Sequence, residues 1–207
     1  MEFLANPNGQ AYLIAYLIGS IPFGWIAIKV LAKEDLRKIG SGGTGATNVY
    51  RALQAKGFEK AKLVAGGTII LDALKGFLPI LLAMLLGFPE PVLWAMAFLV
   101  VVGHCYSVYL LFEGGKGVAT AFGATLILLP IEALLGLIIW FLVAKYTKIS
   151  SLSSLLGLLG ALGASYILHP NLEATHTPFV LMAFIVVYKH IPNIIRLFSG
   201  KEKALVV

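Results

Sequence analysis

The chain has 207 residues, of which 59% are hydrophobic and 13% charged, and its formal net charge is +6. Ordinary soluble domains are about 45–50% apolar and about 25% charged, so this composition excludes one and indicates an integral membrane protein. The length suits one helical bundle, and residues 1–207 are expected to form a single domain. The first basic residue is Lys29, so no positive signal-peptide region precedes the first apolar stretch. The only cysteine, Cys105, excludes an intramolecular disulfide and a cysteine-rich metal site.

Apolar stretches of about 20 residues, the length with which a helix crosses a bilayer, recur along the chain. Five of them predict spanning helices, the fourth with its flanks and the last extended in both directions: Ala11–Leu31, Leu63–Leu86, Val92–Phe112, Ser154–Leu168 and Pro178–Tyr188. A further stretch, Val118–Val143, carries Pro130 and Glu132 near its middle. It is either one tilted span or a hairpin of two short helices.

The distribution of basic residues distinguishes these two possibilities, because Lys and Arg concentrate in cytoplasmic loops. With the N-terminus outside and a hairpin, all 16 Lys and Arg lie on or toward the cytoplasmic side. The outer segments 1–10, 87–91 and 169–177 then contain none. We therefore predict an all-α protein of seven transmembrane helices, with the N-terminus outside and the C-terminus cytoplasmic. Each hairpin arm has about 13 residues and spans about 20 Å, less than the membrane core.

Four polar segments share the cytoplasmic face in this topology: Gly40–Arg51, Glu113–Gly117, Lys148–Ser154 and Lys189–Arg196. The first matches a Walker A motif from Gly40 to Thr47, except that Ala46 stands where the motif has lysine. No preceding strand can be built, so an NTPase is not expected. Backbone N–H groups of such a loop still suit an oxyanion. Glycine-rich turns between helices also arise for steric reasons, so both interpretations stay open here.

The second and third segments add candidate anion ligands. Lys116 stands among glycines at a predicted helix start, where the helix dipole favours an anion, although it also suits an interfacial anchor. Serines precede the sixth predicted helix and supply either hydroxyl ligands or an N-cap: Ser150, Ser151, Ser153 and Ser154.

The fourth segment spaces His190, Asn193 and Arg196 three residues apart, which places them along one face of a helix. Pro192 is tolerated if it lies in the first turn. The segment is either a polar helix end or a clamp for hydroxyl and phosphate groups. In the second case, His190 is expected to accept a proton near neutral pH.

Ionisable residues inside the spans need partners or a cavity. Asp72 and Lys75 are three residues apart, and mutual neutralisation is the preferred interpretation. His104 either is a satisfied core residue or lines the site, while His169 and His176 are assigned to an outer loop. The sequence shows no metal-ligand spacing and no supported Ser-His-Asp arrangement. The scattered basic residues reflect topology and attraction to membrane lipids rather than nucleic-acid binding.

Motifs from all four segments occur in one order along essentially the whole chain: Gly40-Ser-Gly…Gly45-Ala-Thr-Asn48…Arg51-Ala-Leu53, Leu71-Asp-Ala-Leu-Lys-Gly76, Gly103-His104…Gly114-Gly-Lys-Gly-Val-Ala-Thr120, Ser151-Leu-x-Ser154 and His190-x-x-Asn-Ile-x-Arg-Leu197. Together they resemble the bacterial acyl-phosphate:glycerol-3-phosphate acyltransferases, the PlsY family. The resemblance implies transfer of an acyl group from acyl phosphate to the 1-hydroxyl of glycerol 3-phosphate, independent of acyl-CoA. The products are lysophosphatidic acid and inorganic phosphate, in the first acylation step of phospholipid synthesis.

The resemblance also assigns the site residues. The glycine loop would bind the acyl phosphate through Ser41, Gly42, Gly43, Gly45, Thr47 and Asn48. Glycerol 3-phosphate would be bound by Arg51, Lys116, Ser151, His190 and Asn193. The catalytic set would be Lys116, Ser151, His190 and Asn193. No metal or cofactor is expected, and the protein would act as a monomer in the bacterial inner membrane with its site on the cytoplasmic face.

Some residues depart from the family pattern: Gly43 replaces asparagine, Glu113 replaces lysine, Ser107 replaces proline, and Lys148 and Lys189 replace arginine. Lysine keeps the charge but loses bidentate phosphate contact, and Glu113 beside Lys116 is expected to weaken anion binding.

Because an acyl phosphate is already activated, we expect no obligatory protein base, and the substrate phosphate would take the hydroxyl proton. None of the four histidines is followed five residues on by aspartate, which disfavours an acyl-CoA route.

The alternative to an acyltransferase is a transporter of small organic phosphates. Such a protein would place its site near the bilayer midplane and carry inverted repeats, and no repeat is visible.

Overall fold

The structure, a computed structural model, describes residues 5–170 and 173–204. Over these residues the chain forms ten α-helices and no β-strand, and short 3₁₀ turns lie at Leu36–Lys38 and Val108–Leu110. The α-helices are α1 Pro7–Ser20, α2 Phe23–Leu31, α3 Ala46–Gln54, α4 Ala61–Leu85, α5 Glu90–Cys105, α6 Val118–Leu128, α7 Pro130–Thr147, α8 Ser150–Leu168, α9 Glu173–Lys189 and α10 Ile191–Phe198. Parts of the predicted outer segments (1–4 and 171–172) and residues 205–207 lie outside the described residues.

Several helices are long and apolar enough to cross a bilayer. Four units qualify in the described chain, namely α1 with α2, then α4, α7 and α8. A fifth is formed by residues His176–Lys189 and α10, which are bent by 59° at a break. Helices α5 and α6 are apolar but shorter. The prediction of an all-α integral membrane protein is confirmed.

The first predicted span is broken at Ile21 and Pro22, which join α1 to α2. Two polar side chains from elsewhere bind the carbonyl groups at this break. Ser107 Oγ donates to Ser20 O at 2.6 Å, and Lys75 Nζ donates to Ile21 O at 2.7 Å. Unpaired backbone groups are costly away from water, so these bonds stabilise the break. Ser107, which stands where the family has proline, therefore makes a hydrogen bond that proline could not make.

The third predicted span ends at Cys105 rather than at Phe112. The chain turns back after the helix, since Ser107 and Glu113 form an isolated antiparallel bridge. Leu111 and Phe112 adopt left-handed backbone conformations with φ of 56° and 63° within this turn. Apolar composition made the loop resemble a continued helix, which is why the predicted boundary was wrong.

The hairpin breaks at Leu129, as its central proline predicted, but its arms are unequal. Helix α6 has 11 residues, whereas α7 has 18 and is long enough to cross a bilayer. The prediction of two short arms is therefore wrong for the second. Pro130 lies in the first turn of α7, where its missing N–H costs nothing, and the helix runs past Val143 to Thr147.

Close helix packing rests on glycines. A Cβ at Gly76 would lie 2.2 Å from Thr120 O, and one at Gly123 would lie 2.0 Å from Ala73 O, so α4 and α6 touch through their backbones. The same holds for α7 and α8, where a Cβ at Gly136 would lie 2.8 Å from Gly157 O. Small residues allow such approach between helices in membranes. The two pairs, α4 with α6 and α7 with α8, form the walls of a cleft.

Of the two histidines assigned to an outer loop, His169 lies in one and His176 does not. His169 follows α8 directly, and its Nε2 lies 2.9 Å from the buried Glu132 Oε1. His176 lies within α9 and is buried, with its ring stacked on Tyr166 at 4.0 Å. Pairing with a buried carboxylate and an aromatic ring, which depends on tertiary contacts, holds both residues against the bundle.

Candidate active site

Four helices begin around one cavity of about 580 Å³. Their N-caps are Gly45 for α3, Gly117 for α6, Ile149 for α8 and His190 for α10. Residues at each of these N-termini line the cavity. The first N–H groups of a helix lack intrahelical partners and carry the positive end of its dipole, so this end of the cavity attracts anions. We call it the polar end.

The side chain of Asn48 makes hydrogen bonds to the backbone of the glycine loop before α3. Its Nδ2 donates to Ile39 O and Gly43 O, both at 2.9 Å, and its Oδ1 accepts from Ser41 N at 3.1 Å. Gly40 has a φ of +59°, and a Cβ there would lie 2.2 Å from Asn48 Oδ1. The amide donors of Asn48 are thus occupied by loop carbonyls. Asn48 therefore stabilises the conformation of the glycine loop.

The remaining residues predicted to bind acyl phosphate border open space. The 580 Å³ cavity is lined by Ser41, Gly43, Gly45 and Thr47. Gly42 instead lines an adjoining polar cavity of about 420 Å³. Thr47 Oγ1 lies 3.4 Å from Ser150 Oγ, which brings the glycine loop next to the start of α8.

Lys116 lies where the two cavities meet and lines both. Burial and the positive charges of Arg196 and Arg51 lower the pKa of Lys116 to about 8, while Glu202 acts in the opposite direction. The preceding Gly115 packs tightly on His104, since Gly115 N donates to His104 O at 3.0 Å. A Cβ at Gly115 would lie only 2.1 Å from His104 Nε2. The position of Lys116 therefore depends on this glycine.

The ionisable residues inside the spans, Asp72, Lys75 and His104, lie next to this loop. Lys75 Nζ is 2.9 Å from Asp72 Oδ1, so the predicted mutual neutralisation is confirmed. His104 Nδ1 lies 3.6 Å from the same oxygen, too far for a direct hydrogen bond. Asp72 and His104 both line the cavity. His104 thus supports the Lys116 loop and borders the site as well.

All five residues predicted to bind glycerol 3-phosphate line this one cavity: Arg51, Lys116, Ser151, His190 and Asn193. They come from α3, the loop before α6, α8, the α9–α10 junction and α10. The structure thus brings together side chains that lie far apart in the sequence. Whether they bind this substrate stays a prediction.

His190 differs from expectation in its titration. Its Nδ1 lies 2.7 Å from Val186 O, and since a carbonyl only accepts, Nδ1 carries the proton. Burial and the nearby charge of Lys116 lower the pKa of His190 to about 4, so the ring is neutral at pH 7. A ring with so low a pKa is a weak base near neutral pH, so its role as a proton acceptor stays a prediction that this environment disfavours. The neutral ring leaves Nε2 as a hydrogen-bond acceptor.

Glu202 is the site residue that sequence reasoning missed. Its carboxylate accepts hydrogen bonds from Ser151, Asn193 and Arg196. Gly200, with a φ of +67°, ends α10 and turns the chain back toward the cavity. The only local signal is a lone acidic residue between Lys201 and Lys203 in a basic tail.

Glu113 and Lys189, which depart from the family pattern, also have polar partners in the structure. Arg37 Nη1 lies 3.0 Å from Glu113 Oε2, so that carboxylate is paired with Arg37. Lys189 Nζ donates to Cys105 O at 3.0 Å and lies 4.7 Å from the centre of the Tyr106 ring. Both residues line the smaller cavity and stabilise its walls.

Away from the polar end, the cavity becomes an apolar cleft between the two glycine-packed helix pairs. Its lining there comes from one side of α4 and α6 and the facing side of α7 and α8: Ile69, Ile70, Leu74, Phe122, Leu137, Trp140, Leu158 and Ala161. Ile70, on the rim, is 60% exposed, so the cleft is open toward the surface of the bundle. Within the described residues no group of His, Cys, Asp or Glu fits a metal ion.

A helical membrane protein whose phosphate-sized polar site continues into an apolar cleft has the features of an enzyme that acylates a phosphate-bearing acceptor. The family model described as glycerol-3-phosphate acyltransferase matches residues 10–200. The glycerol-3-phosphate acyltransferase of Wolinella succinogenes is 51% identical over the full length of both chains. That of Nitratiruptor sp. is 50% identical over 98% of each chain.

Solved structures agree with this result. Two crystal structures of PlsY (YgiH), an integral membrane glycerol 3-phosphate acyltransferase, share this fold. The glycerol 3-phosphate form has a TM-score of 0.85 and 35% identity, covering 96% of both chains. The lysophosphatidic acid form has a TM-score of 0.81 and 32% identity, covering 96% of this chain and 95% of the other. The chain belongs to the glycerol-3-phosphate acyltransferase family and is an acyltransferase of phospholipid synthesis.

Proposed function

We propose that this enzyme transfers a fatty acyl group from acyl phosphate to the 1-hydroxyl of sn-glycerol 3-phosphate. The carbonyl–oxygen bond to the phosphate breaks, an ester bond forms, and the hydroxyl proton leaves with inorganic phosphate. One observation carries the proposal: four helix N-termini and the cations Arg51, Lys116 and Arg196 surround the polar end of a cavity that continues as an apolar cleft. Two phosphate groups and one lipid chain need this combination.

We assign the two substrates to different groups of residues at the polar end. The glycine loop and the start of α3 bind the acyl phosphate through Ser41, Gly43, Gly45 and Thr47, with Gly42 at the edge and Asn48 holding the loop. Glycerol 3-phosphate lies against Arg51, farther along α3, and against residues of the other elements: Lys116, Ser151, His190 and Asn193. The acyl chain occupies the cleft. Since every one of these residues belongs to a single chain, a monomer suffices for turnover.

Catalysis in this scheme rests on orientation and electrostatics. Lys116 and the helix N-termini stabilise charge on the reacting carbonyl and the departing phosphate. The neutral ring of His190 positions the hydroxyl, and the departing phosphate takes its proton. Neither a metal nor a cofactor enters this reaction.

The direct test uses purified protein with palmitoyl phosphate and glycerol 3-phosphate, and palmitoyl-CoA as a parallel donor. We expect lysophosphatidic acid and inorganic phosphate in equal amounts from the acyl phosphate and no product from palmitoyl-CoA. A protein that transfers only from palmitoyl-CoA, or transfers from neither donor, would overturn the proposed reaction.

We further propose seven membrane spans with the N-terminus outside and the polar end at the cytoplasmic face of the bacterial inner membrane. The distribution of Lys and Arg supports this orientation. A Lys148→Cys variant in a Cys105→Ser background is expected to react with a membrane-impermeant maleimide only after the cells are opened. Labelling of intact spheroplasts would contradict the orientation.

The depth of the cleft is expected to limit acyl-chain length. Ala161 lines the cleft ten residues after Ser151, about 15 Å farther along α8. Ala161→Leu fills this space and is expected to lower kcat/KM for palmitoyl phosphate relative to decanoyl phosphate by about tenfold. Gly163→Leu is the matched control, because a side chain there meets open space. An unchanged ratio in Ala161→Leu would place the chain elsewhere.

The activity is expected to fall on the alkaline side through loss of the Lys116 proton. Since the pKa of Lys116 is lowered to about 8, the cation is present below that pH and is lost above it. At low glycerol 3-phosphate, kcat/KM should therefore decline above about pH 8, while kcat declines at higher pH because bound phosphate favours the cation. Lys116→Arg, which stays protonated, should lack the decline. The same alkaline limb in both enzymes would exclude Lys116 as its source.

A further inference from the structure

The carboxylate of Glu202 contacts three side chains at the polar end. Oε1 accepts from Ser151 Oγ at 2.7 Å and from Asn193 Nδ2 at 2.6 Å, and Oε2 accepts from Arg196 Nε at 2.6 Å. The side chain is 9% exposed. Three short hydrogen bonds to one carboxylate hold the tail against α8 and α10.

These contacts determine which atoms of Ser151 and Asn193 stay free. An ionised carboxylate can only accept hydrogen bonds. Burial opposes ionisation, but the hydrogen bonds from Asn193, Ser151 and Arg196 outweigh it and lower the pKa of Glu202. The single hydroxyl proton of Ser151 therefore points at Glu202. The amide of Asn193 must turn its nitrogen to Glu202, which leaves Oδ1 on the opposite side.

The free atoms that Ser151, Asn193 and His190 present to the cavity are therefore acceptors, except for the second N–H of Asn193 Nδ2. Ser151 Oγ offers lone pairs and has no donor left, and Asn193 offers Oδ1. His190 adds a third acceptor, Nε2, because its Nδ1 proton is donated to Val186 O. Phosphate oxygens are acceptors too and are poorly matched to such a wall, whereas hydroxyl groups donate to it. Two cations that suit a phosphate, Arg51 and Lys116, come from other elements around the cavity, whereas Arg196 of α10 is paired through its Nε with Glu202 Oε2.

We propose that Glu202 is a positioning residue that orients Ser151 and Asn193 as acceptors for the glycerol hydroxyls, while the phosphate is bound by Arg51 and Lys116. The inference rests on the proposed function and divides its glycerol 3-phosphate site into a hydroxyl-reading half and a phosphate-binding half. Enzyme selectivity for a hydroxylated acceptor then depends on a residue that acts through Ser151 and Asn193.

The test compares glycerol 3-phosphate with 3-hydroxypropyl phosphate, which lacks the 2-hydroxyl, using palmitoyl phosphate as donor. The wild-type enzyme should favour glycerol 3-phosphate by at least about tenfold in kcat/KM. Glu202→Gln should lower kcat/KM for glycerol 3-phosphate by about 10- to 100-fold and bring the preference within about threefold. The inhibition constant of inorganic phosphate should stay within about twofold, and Glu202→Asp should recover part of the preference. Glu34→Gln, an exposed partner of Lys56, is the matched control.

A merely structural role would lower activity toward both acceptors by one factor, so an unchanged preference in Glu202→Gln would overturn the inference. Should that variant fail to fold, Ser151→Ala replaces it, with the same expected loss of preference and the same unchanged inhibition by phosphate. Arg51→Ala should do the opposite, weakening phosphate inhibition while keeping the preference. A wild-type enzyme inactive with palmitoyl phosphate would instead contradict the proposed function.

Discussion

Replacing Lys116 with alanine is expected to lower kcat/KM for glycerol 3-phosphate by about 10²- to 10³-fold, the range for loss of one preorganised donor at a reacting centre. The reason is its place: Lys116 lies at the junction of the two cavities and lines both. Steady-state kinetics with palmitoyl phosphate provide the measurement.

The matched control for this variant is Lys62→Ala, because Lys62 is exposed on α4 away from the cavity. It should retain wild-type kinetics. Intact folding of the Lys116 variant is checked by its elution from size-exclusion chromatography in detergent. Activity of Lys116→Ala within about threefold of wild type would remove this residue from the catalytic set.

Replacing Gly115 with alanine is expected to lower activity by at least about 100-fold without removing any functional group. The added Cβ would lie 2.1 Å from Nε2, 2.9 Å from Cε1 and 3.0 Å from Cδ2 of His104. His104 is buried at 6% exposure and its Nδ1 lies 3.6 Å from Asp72 Oδ1, so moving the ring would separate it from that carboxylate. The loop must lift, and Lys116 moves with it. Because displacement of a positioned group by about 1 Å costs about 10²-fold in rate, the loss should be large.

A double-mutant cycle tests this cause. His104→Ala removes the ring that the new Cβ meets, so the Gly115→Ala, His104→Ala double variant should be more active than Gly115→Ala alone. Gly67→Ala is the control, because a Cβ there meets no atom within 4 Å. If the double variant gained nothing over the single one, the clash with His104 would not be the reason for the loss.

The membrane class and most of the site follow from local sequence. Long apolar stretches and a central proline predicted the helices and the break at Leu129, since burial in lipid and loss of a backbone N–H act within one segment. The glycine loop and Lys116 were recognisable because glycines at fixed spacing mark backbone turns. The end of α5 and the length of α7 were not recognisable. The loop after α5 is as apolar as a helix, and the last residues of α7 are as polar as a loop.

The sequence by itself determined that this protein lies in a membrane, which short segments carry its polar chemistry and to which family those segments belong. Only the tertiary structure decided that Ser107 and Lys75 bind the carbonyls of the broken first span, that His104 contacts Gly115, and that Glu202 accepts hydrogen bonds from Ser151 and Asn193. Hydrophobicity and glycine spacing are properties of neighbouring residues, whereas these contacts join segments far apart in the chain and exist only once the helices have packed.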